Sequence, residues 1–170
     1  QRLAQADPTN AQWQDDLLIS YRRTIEVSLT QEQVDLSRKW LDGLNGYLQT
    51  LQQQFPEKIS LGLEFGNLSF YYLQTKDPKK ALSAAQKGLE IAPEEHWINT
   101  NLAHAYMYIE NLDDAEKIYL KFWGTTILSK LWQDAIKEDF EVFRQAGLAH
   151  PFMDVILEKF RQLEAKKTVE

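Results

Sequence analysis

No cysteine occurs among the 170 residues of the chain. That excludes disulfides, thiol catalysis and cysteine-bound metal, and it leaves the compartment open. Glycine and proline are scarce, at seven and five residues. Leu, Ala, Gln, Glu and Lys are plentiful, a balance that favours helix over sheet. No run of about 18 apolar residues is present, so no stretch reads as a membrane-spanning helix. Clustered cations are missing too. Residues 1–60 hold 6 basic and 8 acidic groups, 61–124 hold 6 and 9, and 125–170 hold 7 and 8. A sequence-independent grip on nucleic acid needs Lys and Arg gathered against phosphates, and the pairs Arg22-Arg23 and Lys166-Lys167 fall short of that. No Gly-rich phosphate loop, Gly-x-Ser-x-Gly or His-Glu-x-x-His motif appears. The three histidines, His96, His104 and His150, have no nearby set of further ligands in sequence, so neither metal nor cofactor is expected. The carboxylate pairs Asp113-Asp114 and Glu138-Asp139 point to different sides of a helix and read as solvated surface. Nothing supplies a nucleophile with a base beside it, so an enzyme is not expected within these residues.

What the chain does contain is a globular composition, 44% hydrophobic and 26% charged with a net charge of −6. The length suits one domain with a continuous core. Beginning at Gln1, the chain is expected to be part of a longer polypeptide.

Helical spacing governs nearly all of it. Asp7-Pro8-Thr9-Asn10 is a turn and cap cluster. Trp13, Leu17, Tyr21, Thr24 and Ile25 then form one stripe of a helix from Ala11 to about Ser28. Thr30 and Gln33 fit a capping box for a long second helix ending near Phe55, before Pro56. Its seam of Val34, Leu41, Leu44, Leu48, Leu51 and Phe55 reads as the packing face of a hairpin rather than a coiled coil. Gly43 and Gly46 in it admit a close neighbour or a bend. A third helix is expected over Ile59–Thr75. A fourth starts at Asp77-Pro78, acidic cap then proline, and runs to Ile91. A fifth is expected from Pro93 to Ile109, and a sixth from the Asn111 cap to Trp123, stopped by Gly124. A β-branched connector, Thr125-Thr126-Ile127, leads to a seventh helix capped by Ser129 and stopped at Gly147. The eighth starts at His150-Pro151, with Phe152, Val155, Ile156, Phe160 and Leu163 on one face. That single greasy face suits the end of a helical stack, and the tail Ala165–Glu170 is expected to fray. Trp123, Trp132 and Phe140–Phe143 read as core.

From Phe65 to Trp123 the same pattern occurs twice. Asn67-Leu68-Ser69 answers Asn101-Leu102-Ala103, Tyr72 answers Tyr106, Ala81 answers Ala115 and Ala85 answers Tyr119. The period is about 34 residues, and a fixed period in this range marks stacked helical hairpins, since one hairpin cannot bury its apolar side alone. The small residues after Leu68 and Leu102, with Ala81 and Ala115, let the two helices of a hairpin approach. These positions resemble the tetratricopeptide repeat family, whose pattern runs Trp-x2-Leu-Gly-x2-Tyr, Ala-x3-Phe, Pro. The first copy reads Phe65, Leu68, Ser69, Tyr72, Ala81, Ala85, Pro93. The second reads Asn99, Leu102, Ala103, Tyr106, Ala115, Tyr119, with Ile127 in place of the proline. The Trp and Gly of the family are absent. Residues 18–55 look like a degenerate third copy, with Ser37 as the small residue and Leu41 four on.

The resemblance implies an all-α fold of about eight helices, antiparallel hairpins stacked into a right-handed superhelix. One domain is expected over 1–170, comprising a degenerate hairpin at 10–55, repeats at 59–92 and 93–124, and a capping hairpin at 129–165. It also implies a concave groove lined by first helices. The candidates are Leu63, Asn67, Phe70 and Gln74 from one repeat, and Trp97, Asn101, His104 and Tyr108 from the next. Asn67 and Asn101 stand where the family often places an amide against a ligand backbone, and the same residue also braces hairpins. Few cations face this groove, so an apolar segment suits it better than a terminal carboxylate. The expected function is a protein–protein scaffold that binds a peptide or helix. The alternatives are a self-association module, giving a homodimer, or a regulatory arm of an enzyme.

Overall fold

In the computed structural model the described residues are 11–167, so the turn cluster at 7–10 lies outside them. The chain is all-α. Among the described residues, eight helices account for most of the structure, with one short β-hairpin. The chain groups into two compact units, Gln1–Pro56 and Glu57–Glu170, where the sequence suggests one domain. The boundary falls at Pro56, the expected end of the second helix.

The first unit is one hairpin, α1 (Ala11–Thr30) and α2 (Val34–Gln54). Leu18, Tyr21 and Ile25 of α1 are buried, as are Leu41, Leu44, Leu48 and Leu51 of α2. Two buried serines meet across the pair, Ser28 Oγ and Ser37 Oγ at 2.7 Å. Only small side chains allow that approach. Gly43 lies under the Tyr21 ring, where an added Cβ would sit 3.2 Å from Cε1. The capping box is not formed. Thr30 is the last residue of α1, its hydroxyl donating to the Glu26 carbonyl, and the Gln33 side chain makes no cap bond. The seam expected on α2 is buried in its middle, while Val34 and Phe55 at its ends are exposed.

The second unit opens with two hairpins, α3 (Ile59–Gln74) with α4 (Pro78–Ile91) and α5 (Ile98–Tyr108) with α6 (Leu112–Lys121). Helix α4 packs on both α3 and α5, and α3 also touches α5. The contact between α3 and α4 is backbone on backbone. A Cβ on Gly88 would lie 2.9 Å from the Gly62 carbonyl oxygen, and one on Gly62 would lie 2.6 Å from Ala92 Cβ. Ser69, beside them, donates its buried hydroxyl to the Ala81 carbonyl at 2.8 Å.

The same turn closes each of the three hairpins. Glu32, Lys76 and Glu110 adopt positive φ, at 56°, 63° and 63°. The next amide in each case bonds a carbonyl in the last turn of the helix before it: Gln33 to Ser28, Asp77 to Tyr72 and Asn111 to Tyr106, at 2.8, 2.9 and 3.0 Å. This is a Schellman end of the first helix, fused to the cap of the second. Asp77 completes its cap by accepting from the Lys80 amide. Asn111 instead turns its amide to Asp114.

Two connections differ from expectation. Pro93 does not open a helix. Residues 93–97 form tight turns and α5 begins at Ile98, with the Trp97 indole tied to Glu95. Ser129 does not cap a helix either. It forms, with Leu128, the positive-φ tip of a hairpin between β1 (Thr126–Ile127) and β2 (Lys130–Leu131). Helix α7 (Trp132–Gln145) follows directly, then α8 (Pro151–Lys167). Gly147 stops α7 with φ 69°, and the Leu148 amide bonds the Phe143 carbonyl. His150 Nδ1 accepts from the Phe152 amide at the start of α8. Phe152, Ile156 and Phe160 are buried while Val155 is exposed, and the helix continues through Ala165 to Lys167 instead of fraying there.

Candidate functional site

The face of interest is that of α3 and α5. The two helices treat their matching amides differently. Asn101 is buried, and its Nδ2 donates to the Gly66 carbonyl on α3 at 3.0 Å. It braces one hairpin against the other. Asn67, its counterpart in the preceding copy, is half-buried and makes no hydrogen bond among the described residues. Gln74, two turns further along α3, is likewise half-buried and unbonded. Leu63 and Phe70 are half-buried on the same helix. The spacing 63, 67, 70, 74 keeps all four on one side. Trp97 is half-buried at the start of α5.

His104 is not on an open face. It is fully buried, with ring contacts to Tyr119, Phe140 and Phe143 at 5.0–5.7 Å between centroids. Helix α7 supplies the two phenylalanines, and Phe143 reaches as far as Phe70, at 5.7 Å. Tyr108 is also taken up internally. Its hydroxyl donates to the Leu148 carbonyl at 2.6 Å and its ring packs edge-on against Phe143. So of the eight candidates, Asn101 and His104 are inside the protein, and Tyr108 spends its hydroxyl on the loop after α7. The physical reason is the aromatic stripe of α7, which covers α5.

His104 sits in a buried polar chain. Its Nε2 lies 3.1 Å from Asp139 Oδ2 and its Nδ1 lies 2.7 Å from the Tyr119 hydroxyl. With Asp139 ionised, Nε2–H donates to the carboxylate, and in the neutral ring Nδ1 then accepts the tyrosine proton. The chain joins α5, α6 and α7. Asp139 is therefore not simply solvated surface. One signal for it was legible: it falls between Ile136 and Phe143 at three- and four-residue steps, inside the apolar stripe of α7. Tyr119 stood in the repeat pattern without a role in the site, and the glycines at 62, 66 and 88 stood outside that pattern. Gly62 and Gly66 stand four apart on one side of α3, a spacing that marks close backbone approach.

Burial pushes the Tyr119 phenol well above its ordinary value, with Tyr108 and the Asp139 charge adding to it. Burial also raises Tyr108. A folded-state pKa above the unfolded one means that the folded protein binds the proton more tightly. Stability is then unaffected below the unfolded value of about 10 and falls as pH rises past it. For Tyr119 the slope is about 1.4 kcal/mol per pH unit. Urea titrations between pH 9 and pH 11 are expected to show this decline, and Tyr119→Phe to make it shallower while the part due to Tyr108 stays. A flat wild-type profile would contradict the placement of these phenols.

His96 stacks on Phe122 in the turn before α5, and His150 pairs with Glu110, so the three histidines do not converge. Among the described residues no group of three or more His, Asp or Glu side chains is placed to hold a metal ion. No described helix is long and apolar enough to cross a membrane. Trp132, Phe140 and Phe143 are fully buried, as core residues. Comparison with protein-family models, curated proteins and solved structures finds no match to the chain.

Proposed function

We propose that residues 57–170 form a protein-interaction module of the tetratricopeptide kind, its hairpins stacked into a right-handed superhelix that receives an extended or helical segment of another protein. The observation that carries this reading is the pair of unbonded amides, Asn67 and Gln74, flanking Phe70 on one side of α3. A half-buried amide without a partner is poised to donate to and accept from a peptide main chain. An apolar ring between two such groups adds the anchor that interaction sites commonly use. The recurring turn at Glu32, Lys76 and Glu110 supports the repeat architecture. Within the site, Leu63, Asn67, Phe70 and Gln74 face the partner, with Trp97 and Tyr108 at its margin. Asn101 and His104 hold the hairpins together. The module acts as a scaffold.

A photo-crosslinking side chain placed at position 67 or 74, in cells, tests this. One discrete adduct is expected at those positions and none from the exposed Ser83 on α4. Asn67→Ala is expected to reduce the adduct at position 74 about fivefold, the value of one lost hydrogen bond. Adducts of equal yield from all three positions, or none from 67 and 74, would overturn the assignment.

A further inference from the structure

A second surface lies in the first unit, remote in sequence from Asn67. Two clefts adjoin on the α1–α2 hairpin and share Thr24. One, of about 260 Å³, is floored by Val27 and Leu36. The other, of about 230 Å³, is walled by Leu17 and Trp40. Val27 and Leu36 are 55% and 41% exposed, so the apolar floor is uncovered. Lining residues run from Leu17 on α1 to Gln31 just past its end. At 1.5 Å per residue that is about 21 Å, the length of roughly four helical turns.

The polar groups of this groove are unequal. Arg23 is the one charged residue lining either cleft, and it has no ion pair or hydrogen bond among the described residues. The Trp40 indole N–H is likewise unbonded. The hydroxyls of Ser20, Thr24 and Ser28 already donate to carbonyls of α1. What remains unspent is a guanidinium and an indole N–H, which only donate, and the Gln31 and Gln33 amides, which donate and accept, beside two apolar hollows; the one charge is positive. A second copy is a poor occupant, because a two-fold contact pairs this face with itself and no carboxylate lines it to meet Arg23.

We infer that this groove docks an acidic amphipathic segment of a partner protein. Two apolar side chains of the segment fill the clefts and one carboxylate meets Arg23, in the helix-in-groove mode. The site is independent of the α3 face, and either can fail alone.

Selection from a phage-displayed library of random peptides, about 16 residues each, against the full chain tests the inference. The selected peptides are then measured by fluorescence anisotropy. Sequences with a Glu or Asp beside two apolar positions are expected. Arg23→Glu should weaken them about tenfold and Val27→Asp more than tenfold, with affinity falling as salt rises. Both side chains are exposed, so the variants keep the helical circular dichroism of the parent. A library that returns no binder overturns the inference, as do binders indifferent to both substitutions. Light scattering that shows a dimer lost in Val27→Asp also overturns it, by giving the surface to a second copy.

Discussion

Gly88→Leu is expected to abolish the folded state of the second unit at ambient temperature. A Cβ at position 88 would lie 2.9 Å from the Gly62 carbonyl oxygen, 3.2 Å from the Gly66 amide nitrogen and 3.3 Å from Ile98 Cδ1. The first two are backbone atoms, which cannot swing aside. Nor can α3 retreat, because Ser69 holds Ala81 across the same interface and Asn101 holds the Gly66 carbonyl. Alanine gains about 1 kcal/mol of helix propensity over glycine. Overpacking costs about 1–3 kcal/mol for an added methyl against a rigid neighbour, and more for a branched side chain. Gly88→Ala should therefore lose about 1 kcal/mol net, and Gly88→Leu about 4 kcal/mol or more. A domain holds only about 5–15 kcal/mol in reserve. Gly46 provides the control, since a Cβ there meets nothing within 4 Å. Gly46→Ala should stabilise by up to about 1 kcal/mol. Urea midpoints decide the matter: a Gly88→Leu chain as stable as the parent would mean that α3 and α4 are not in backbone contact.

The helices were legible in the sequence because their marks are local. Asp77-Pro78 announced a cap, the apolar stripes announced packing faces, and the repeated pattern paired Ala81 with Ala115. The turns were less legible. A Schellman end usually shows itself by glycine, and here Glu32, Lys76 and Glu110 take the left-handed position instead. That conformation costs a non-glycine residue about 1–2 kcal/mol, so tertiary packing must impose it. At Pro93 the rule that proline starts helices failed because the Trp97 ring must lie over Gly66, a contact between separate hairpins that no local pattern announces. The candidate face failed in part for the same reason. A repeat pattern tells that Asn101, His104 and Tyr108 share one side of α5. It does not tell that Phe140 and Phe143, two helices further along the chain, fill that side and enclose His104. Asn67 and Asn101 are identical in type and register, and only their surroundings separate the free amide from the brace.

The buried chain of Asp139, His104 and Tyr119 is expected to be the main polar fastening of α7, and its removal should be strongly non-additive. His104→Ala leaves a void among the Tyr119, Phe140 and Phe143 rings and strands a buried hydroxyl. Cavity and lost hydrogen bonds together are expected to cost about 4 kcal/mol. His104→Phe keeps the ring volume, leaves the buried Tyr119 hydroxyl only Met107 Sδ at 4.0 Å and removes the donor of the quarter-exposed Asp139, at about 2 kcal/mol. Tyr119→Phe strands His104 Nδ1. Asp139 is a quarter exposed, so water replaces part of its loss and Asp139→Ala should cost less than either. The discriminating variant is His104→Phe with Tyr119→Phe. The Tyr119 hydroxyl and His104 Nδ1 then vanish together, and the cost that remains is that of the quarter-exposed Asp139, which water reaches. The double variant should be about 1–2 kcal/mol more stable than the sum of the singles implies. Hydrogen exchange adds the location. In His104→Ala, the amides of α7 should lose protection while those of α3 and α4, held by their glycine contact, keep it. Strict additivity, or uniform loss of protection across the second unit, would show that the chain of three is a packing detail rather than the fastening of α7.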